Sequence, residues 1–162
     1  MAKEKINLLV VDDEEQFLAS MKRRLEIRGF NVIAVNRGGK ALDAARSQPI
    51  DIVLLDLKMP GMNGEQTLAE LKKLYKGLEV VILTGHGSTD SVVECTEKGA
   101  YFYLQKPCEL DLLLAILAEA YKRRVMKRLN VEYEGMAGML GDGNSQSPLD
   151  VLNRIRELDP EK

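Results

Sequence analysis

The chain has 162 residues, of which 45% are hydrophobic and 30% charged, with a formal net charge of −2. That balance gives no bias toward nucleic acid or a membrane surface, and no apolar run approaches the length of a bilayer span. Cys95 and Cys108 form no close pair and read as reduced thiols, and the single histidine, His86, argues against a histidine-based metal site.

Apolar runs and helical patterns alternate along the chain. Met1-Ala2-Lys3-Glu4-Lys5 leads directly into Ile6–Val11, a strand candidate, with no secretory leader, so a cytoplasmic location is expected. Glu15–Ile27 carries Phe17, Leu18, Met21 and Leu25 at helical spacing, and Gly29 is a plausible stop. A strand over Asn31–Val35 and a helix over Lys40–Arg46 follow. Ile52–Leu55 is wholly apolar, as a parallel strand buried on both faces should be. Next come a helix over Glu65–Tyr75, a strand over Glu79–Leu83, a helix over Asp90–Lys98 ending at Gly99, and a strand over Tyr101–Leu104. A long helix over Glu109–Asn130 closes the pattern. Five strands alternating with five helices predict an α/β fold, a parallel sheet covered on both faces.

The composition changes after Asn130. Gly135, Gly138, Gly141 and Gly143 interrupt the stretch 131–147, which reads as a flexible connector. Ser147-Pro148-Leu149-Asp150 then has an N-cap, a proline at the first helical position and an early acid. Val151, Leu152, Ile155 and Leu158 follow on one face. The expected division is residues 1–125 as one domain, with 126–162 holding the end of the long helix, the connector and a short C-terminal helix. No second domain is expected.

The chemistry-bearing residues fall at predicted strand ends. Asp12 and Asp13 follow the first strand and Asp56 the third; Thr84 follows the fourth and Lys106 the fifth. A parallel sheet brings such ends to one edge, where ligands bind. Carboxylates gathered there are unfavourable without a cation, so a divalent metal is expected. Phosphoryl transfer to a carboxylate needs this set. One carboxylate attacks, the others hold Mg²⁺, and a hydroxyl and an ammonium bind the phosphoryl oxygens.

In order and spacing, Asp12-Asp13, Asp56, Met59-Pro60-Gly61-Met62-Asn63-Gly64, Thr84-Gly85 and Lys106-Pro107 resemble the receiver domain of two-component response regulators. The likeness covers about residues 5–125. Thr84-Gly85-His86-Gly87 and Lys98–Leu104 are most similar to receivers of nitrogen-regulation-type activators. The resemblance implies a doubly wound (βα)₅ fold with strand order 2-1-3-4-5. It implies Asp56 as phosphoacceptor, with Mg²⁺ held by Asp12, Asp13, Asp56 and the backbone carbonyl of Lys58. It makes Thr84 and Tyr103 a switching pair, and Lys58 and His86 rate-tuning positions. The implied partners are a sensor histidine kinase or phosphotransfer protein and a downstream protein target. Such a protein is a phosphoacceptor that assists its own phosphorylation and dephosphorylation, not an enzyme acting on other substrates. Cys108 departs from the phenylalanine many receivers carry after Lys-Pro.

Two other functions fit the sequence less well. An aspartyl phosphatase of the haloacid-dehalogenase type would carry an acid two residues after its nucleophile, where this chain has Lys58. A fragment of a DNA-binding activator would explain Lys122-Arg123-Arg124 and Lys127-Arg128, but cations at a helix C-terminus are favoured by its dipole, and no helix-turn-helix follows. Direct DNA binding is therefore not expected. An intermediate in a phosphorelay feeding a separate transcription factor stands as the alternative. Finally, Tyr121, Val125, Met126 and Leu129 extend the long helix's apolar stripe past the sheet. Something must cover it. The expectation is a homodimer through this helix, with the tail helix as a mobile docking element; the tail folding back is the other possible cover.

Overall fold

The structure, a computed structural model, describes residues 4–85, 87–129 and 147–162. Five strands form one parallel sheet: β1 Ile6–Val11, β2 Phe30–Val35, β3 Ile52–Leu55, β4 Glu79–Thr84 and β5 Phe102–Gln105. Their order is β2-β1-β3-β4-β5. The helices are α1 Glu15–Ile27, α2 Gly38–Ser47, α3 Gly64–Leu74, α4 Thr89–Glu97, α5 Leu110–Leu129 and α6 Pro148–Leu158. The apolar runs are continuous because both faces are covered. Within them, alternate residues serve opposite sides. Leu8, Val10, Leu54, Val81 and Leu83 pack toward α1, α5 and α6. Leu9, Val11, Val53, Leu55, Val80 and Ile82 pack toward the layer of α2 and α3.

Several boundaries move by a residue or two from the expected ones. β2 begins at Phe30, one residue early, because Phe30 pairs with Ile6 and is buried. α2 begins at Gly38, two residues early, because the Ala41 N–H donates back to the Arg37 carbonyl at 3.1 Å. β5 runs one residue later than expected, carried by the pairing of Thr84 with Gln105. Gly29 and Gly99 both have φ +95 and end α1 and α4, as their positions suggested.

α5 outruns the sheet, as the sequence indicated, at 20 residues or about 30 Å. The surplus stripe does not call for a second copy of the chain. It is covered by α6, which is docked against α5 rather than projecting as a free element. Leu152 and Ile155 of α6 join the core that holds Tyr121, Val125 and Met126. Polar groups fasten the junction. The Tyr121 hydroxyl donates to Asp159 Oδ2 at 2.6 Å, and Arg128 Nη1 donates to the same oxygen at 2.7 Å. Asp51, at the foot of β3, is buried and ion-paired with Arg128 and Lys162, each at 2.9 Å. Its Oδ2 also accepts from the Asn7 backbone N–H at 2.7 Å, so the foot of β1 shares the junction. The glycine-rich segment 131–146 lies outside the described residues.

Candidate functional site

Strand register assembles the site. Val11 pairs with Leu55, so the residues that follow, Asp12 and Asp56, leave the sheet side by side. The Asp56 N–H donates to the Val11 carbonyl at 2.9 Å, and the Asp12 N–H to the Val35 carbonyl at 3.1 Å. Thr84 pairs with Gln105, and the Lys106 N–H donates to the Thr84 carbonyl at 2.9 Å. All five strand-end residues thus reach one edge. Asp12, Asp56 and Thr84 are buried, Asp13 is exposed and Lys106 is half-buried.

The carboxylates converge. Asp12, Asp13 and Asp56 each offer an oxygen, and these lie within 4.8 Å of one another. One oxygen of Asp56, Oδ1, is out of solvent and has no hydrogen-bond partner among the described residues. Such a buried acceptor costs free energy unless something occupies it. Three close carboxylates facing a single ammonium leave a net negative pocket built of oxygen donors. That donor set fits a hard divalent cation, Mg²⁺ among them.

Lys106 is placed from three sides. Its Nζ donates to Asp12 Oδ2 at 2.5 Å, lies 3.6 Å from Glu14 Oε1 and sits 3.9 Å from the centre of the Phe17 ring. Burial works against its charge, but Asp12, Asp56 and Glu14 outweigh it and raise the pKa. Asp12 titrates above its ordinary value chiefly because it is buried, with the Asp56 charge adding and the bonds from Lys106 and the Glu14 N–H opposing. The Glu14 N–H, 2.9 Å from Asp12 Oδ1, holds that carboxylate in place. Glu14 and Phe17 were not among the predicted site residues. Their positions in the first turns after the acidic pair were the available signal, but the register that brings Lys106 over them is a tertiary fact.

The loop after Asp56 is shaped by glycine and a capped helix. Asn63 accepts from the Gln66 N–H at 2.9 Å while Gln66 Oε1 accepts from the Asn63 N–H at 3.0 Å, a reciprocal cap on α3. A side chain at Gly64 would collide with the Asp56 and Leu57 backbone, so glycine lets α3 start hard against the strand end. Gly61 has φ +75 in the turn before it. The Lys58 side chain is exposed beside this loop, at the mouth of a cavity it shares with Met59, Asn63, Glu65 and Ser91. Lys106-Pro107 is a cis peptide. Tyr103 lies on β5 and packs against the α2 and α3 layer, its hydroxyl out of solvent. His86 lies outside the described residues.

Comparison with known proteins matches this architecture. Residues 8–118 match the family described as response regulator receiver domain. The chain is 34% identical over 162 residues to the transcriptional regulatory protein ZraR of Klebsiella oxytoca, covering 99% of this chain and 36% of that protein. It is 38% identical over 120 residues to ZraR of Escherichia coli strain K12, covering 74% of this chain and 27% of that one. It therefore spans about a third of the length of these curated relatives. Among solved structures, a CheY-like receiver domain from Methanospirillum hungatei superposes with a TM-score of 0.74 at 28% identity, covering 76% of this chain and 98% of that one. The receiver domain of NtrX from Brucella abortus gives 0.67 at 30% identity, covering 71% and 98%. With the matched segment spanning the sheet and its acidic edge, the chain belongs to the response regulator receiver domain family.

Proposed function

We propose that the chain is a phosphorylation-activated response regulator in which Asp56 is the phosphoacceptor. The observation that carries this reading is the buried, unpartnered Asp56 oxygen inside a cluster of three carboxylates with Lys106 beside it. A sensor histidine kinase or phosphotransfer protein is the donor. An Asp56 oxygen attacks phosphorus, the phosphorus–nitrogen bond of the donor phosphohistidine breaks, and the imidazole nitrogen leaves with the bonding pair. Lys106 and Thr84 bind phosphoryl oxygens as charge develops there. Asp12, Asp13, Asp56 and the Lys58 carbonyl are the groups that would hold Mg²⁺, which supplies charge neutralisation at the phosphoryl oxygens. The protein is itself the modified species, and hydrolysis of the acyl phosphate resets it. Lys58 and His86 tune that lifetime by shielding the phosphoryl group.

Phosphorylation then changes protein contacts through Thr84 and Tyr103. Residues 1–125 form the receiver and 126–162 its extension, of which α6 lies against α5. The downstream target is a protein, the setting is the cytoplasm, and direct DNA contact is no part of the role. The relatives are transcriptional regulators, which keeps open the alternative of a phosphorelay intermediate feeding a separate transcription factor. The test is beryllofluoride, an acyl-phosphate mimic, followed by NMR of the full chain. Mg²⁺-dependent shifts at Asp56, Thr84 and Lys106 that vanish in Asp56→Asn are expected. Shifts that persist in Asp56→Asn would place the phosphoacceptor elsewhere.

A further inference from the structure

The loop between β4 and α4 contains a glycine whose role is spatial. Gly87 lies under the tip of the Tyr103 ring. A Cβ built on Gly87 would stand 2.9 Å from Tyr103 Cζ and 3.0 Å from Cε1, and nearer still to the hydroxyl oxygen. Methyl carbons do not approach aromatic atoms so closely. The Gly87 φ lies outside the left-handed region, unlike those of Gly29, Gly61 and Gly99, so its backbone conformation is open to any residue. What only glycine supplies here is room.

The ring that uses this room is poorly anchored. The Tyr103 hydroxyl is out of solvent and has no hydrogen-bond partner among the described residues, which is unfavourable for a phenol. Burial raises its pKa, and the neighbouring Cys95, Glu65 and Asp56 add to the effect. Tyr103 lies on the edge strand β5 and is itself only half-buried, so an outward ring has solvent to turn into. The nearest atoms to a new Cβ would be the far end of a rotatable side chain rather than backbone, so the ring would give way before the loop did.

We propose that Gly87 is a positioning residue of the switch. It leaves open the space that lets Tyr103 lie inward, and any side chain at this position drives the ring out toward solvent. The proposal rests on the reading of Tyr103 as a switch but is separable from it. The three atoms nearest a Cβ at Gly87 all belong to Tyr103, so a substitution there acts on the position of the ring, and phosphoryl uptake is expected to stay intact. It also sits just before Ser88, whose side chain caps α4, so the ring and the start of that helix meet at this loop.

The experiment uses the full chain labelled with 3-fluorotyrosine and ¹⁹F NMR, with Tyr103→Phe assigning one resonance among those of the five tyrosines. In Gly87→Ala the Tyr103 resonance is expected to move to a solvent-exposed position and to gain a shift between H₂O and D₂O. Acetyl phosphate labelling of Gly87→Ala should match wild type. A thermal unfolding cycle keeps the test independent of any general disturbance of the loop: Gly87→Ala should lower Tm in the wild-type background and not in Tyr103→Ala, where the space is empty. A buried, unshifted resonance in Gly87→Ala, or the same loss of Tm in both backgrounds, overturns the proposal. A ring that moves outward while the beryllofluoride response stays unchanged upholds Gly87 as gate and removes Tyr103 from the switch.

Discussion

Ile155 sits in the tail helix 26 positions beyond Leu129, the last residue of α5, yet it is fully buried in the core of the α1 and α5 face. If α6 is part of the folded domain, Ile155→Ala should destabilise the whole chain. The substitution removes three carbons, worth about 2.4 kcal/mol at about 0.8 kcal/mol per buried carbon. Incomplete relaxation around the cavity brings the total to about 3 kcal/mol. The loss cannot exceed the free energy by which the tail docks, because beyond that the tail detaches and the rest stays folded. For a chain of this size, about 3 kcal/mol lowers Tm by about 6–12 °C. Urea denaturation with linear extrapolation measures it, with Asn153→Ala, exposed on the same helix, as control. If Ile155→Ala and Asn153→Ala agree within about 0.5 kcal/mol, the ordinary scatter of surface substitutions, the docked tail is refuted.

Three further predictions concern the site and its surroundings. Asp13→Ala should abolish Mg²⁺-dependent labelling by acetyl phosphate, since the exposed carboxylate completes the oxygen donor set; normal labelling at millimolar Mg²⁺ would remove it from that set. Lys106→Ala should leave Mg²⁺ affinity, read by titration, little changed while suppressing the beryllofluoride-induced shifts at β5; a full set of shifts would show that the ammonium does not report the phosphoryl group. Burial, helped by Glu65 and Glu94, lifts the Cys95 thiol from 9.0 to about 11, so the folded state holds its proton more tightly than the unfolded chain does. The contribution of this thiol to stability is therefore whole below pH 9 and lost as pH rises toward 11. Comparing wild type with Cys95→Ala by urea denaturation across that window should show the wild type losing more stability, and parallel curves would contradict the assignment.

The sheet was legible because its strands are short and mostly apolar, with β1, β3 and β4 buried on both faces, and each run meets a residue that is not apolar at its C-terminal end. Asp12, Asp56, Thr84 and Lys106 were readable as a set for the same reason, because in a parallel sheet the chain position of a residue places it at one edge. What the sequence did not disclose depends on pairing across distance. Glu14 and Phe17 look like ordinary residues of a helix start, and only the arrival of Lys106 from the far side of the sheet gives them a place in the site. The apolar residues of α5 beyond the sheet were correctly read as needing cover, but amphipathic faces carry no address. Tyr121, Arg128, Asp51 and Asp159 supply that address through hydrogen bonds and ion pairs between residues up to 77 positions apart, the separation of Asp51 and Arg128 in the numbering. The need for glycine at position 87 was likewise invisible, since it depends on where a ring from another strand comes to rest.

The most direct test of the account is the site of phosphorylation. Full-length protein incubated with acetyl phosphate and Mg²⁺ is analysed by intact mass and, after borohydride reduction of the acyl phosphate, by peptide mapping. The account predicts one phosphoryl group per chain, lost on alkaline treatment, with the reduced residue at position 56 and no label in Asp56→Asn. A label that survives in Asp56→Asn, or that maps to another residue of the wild type, would contradict it.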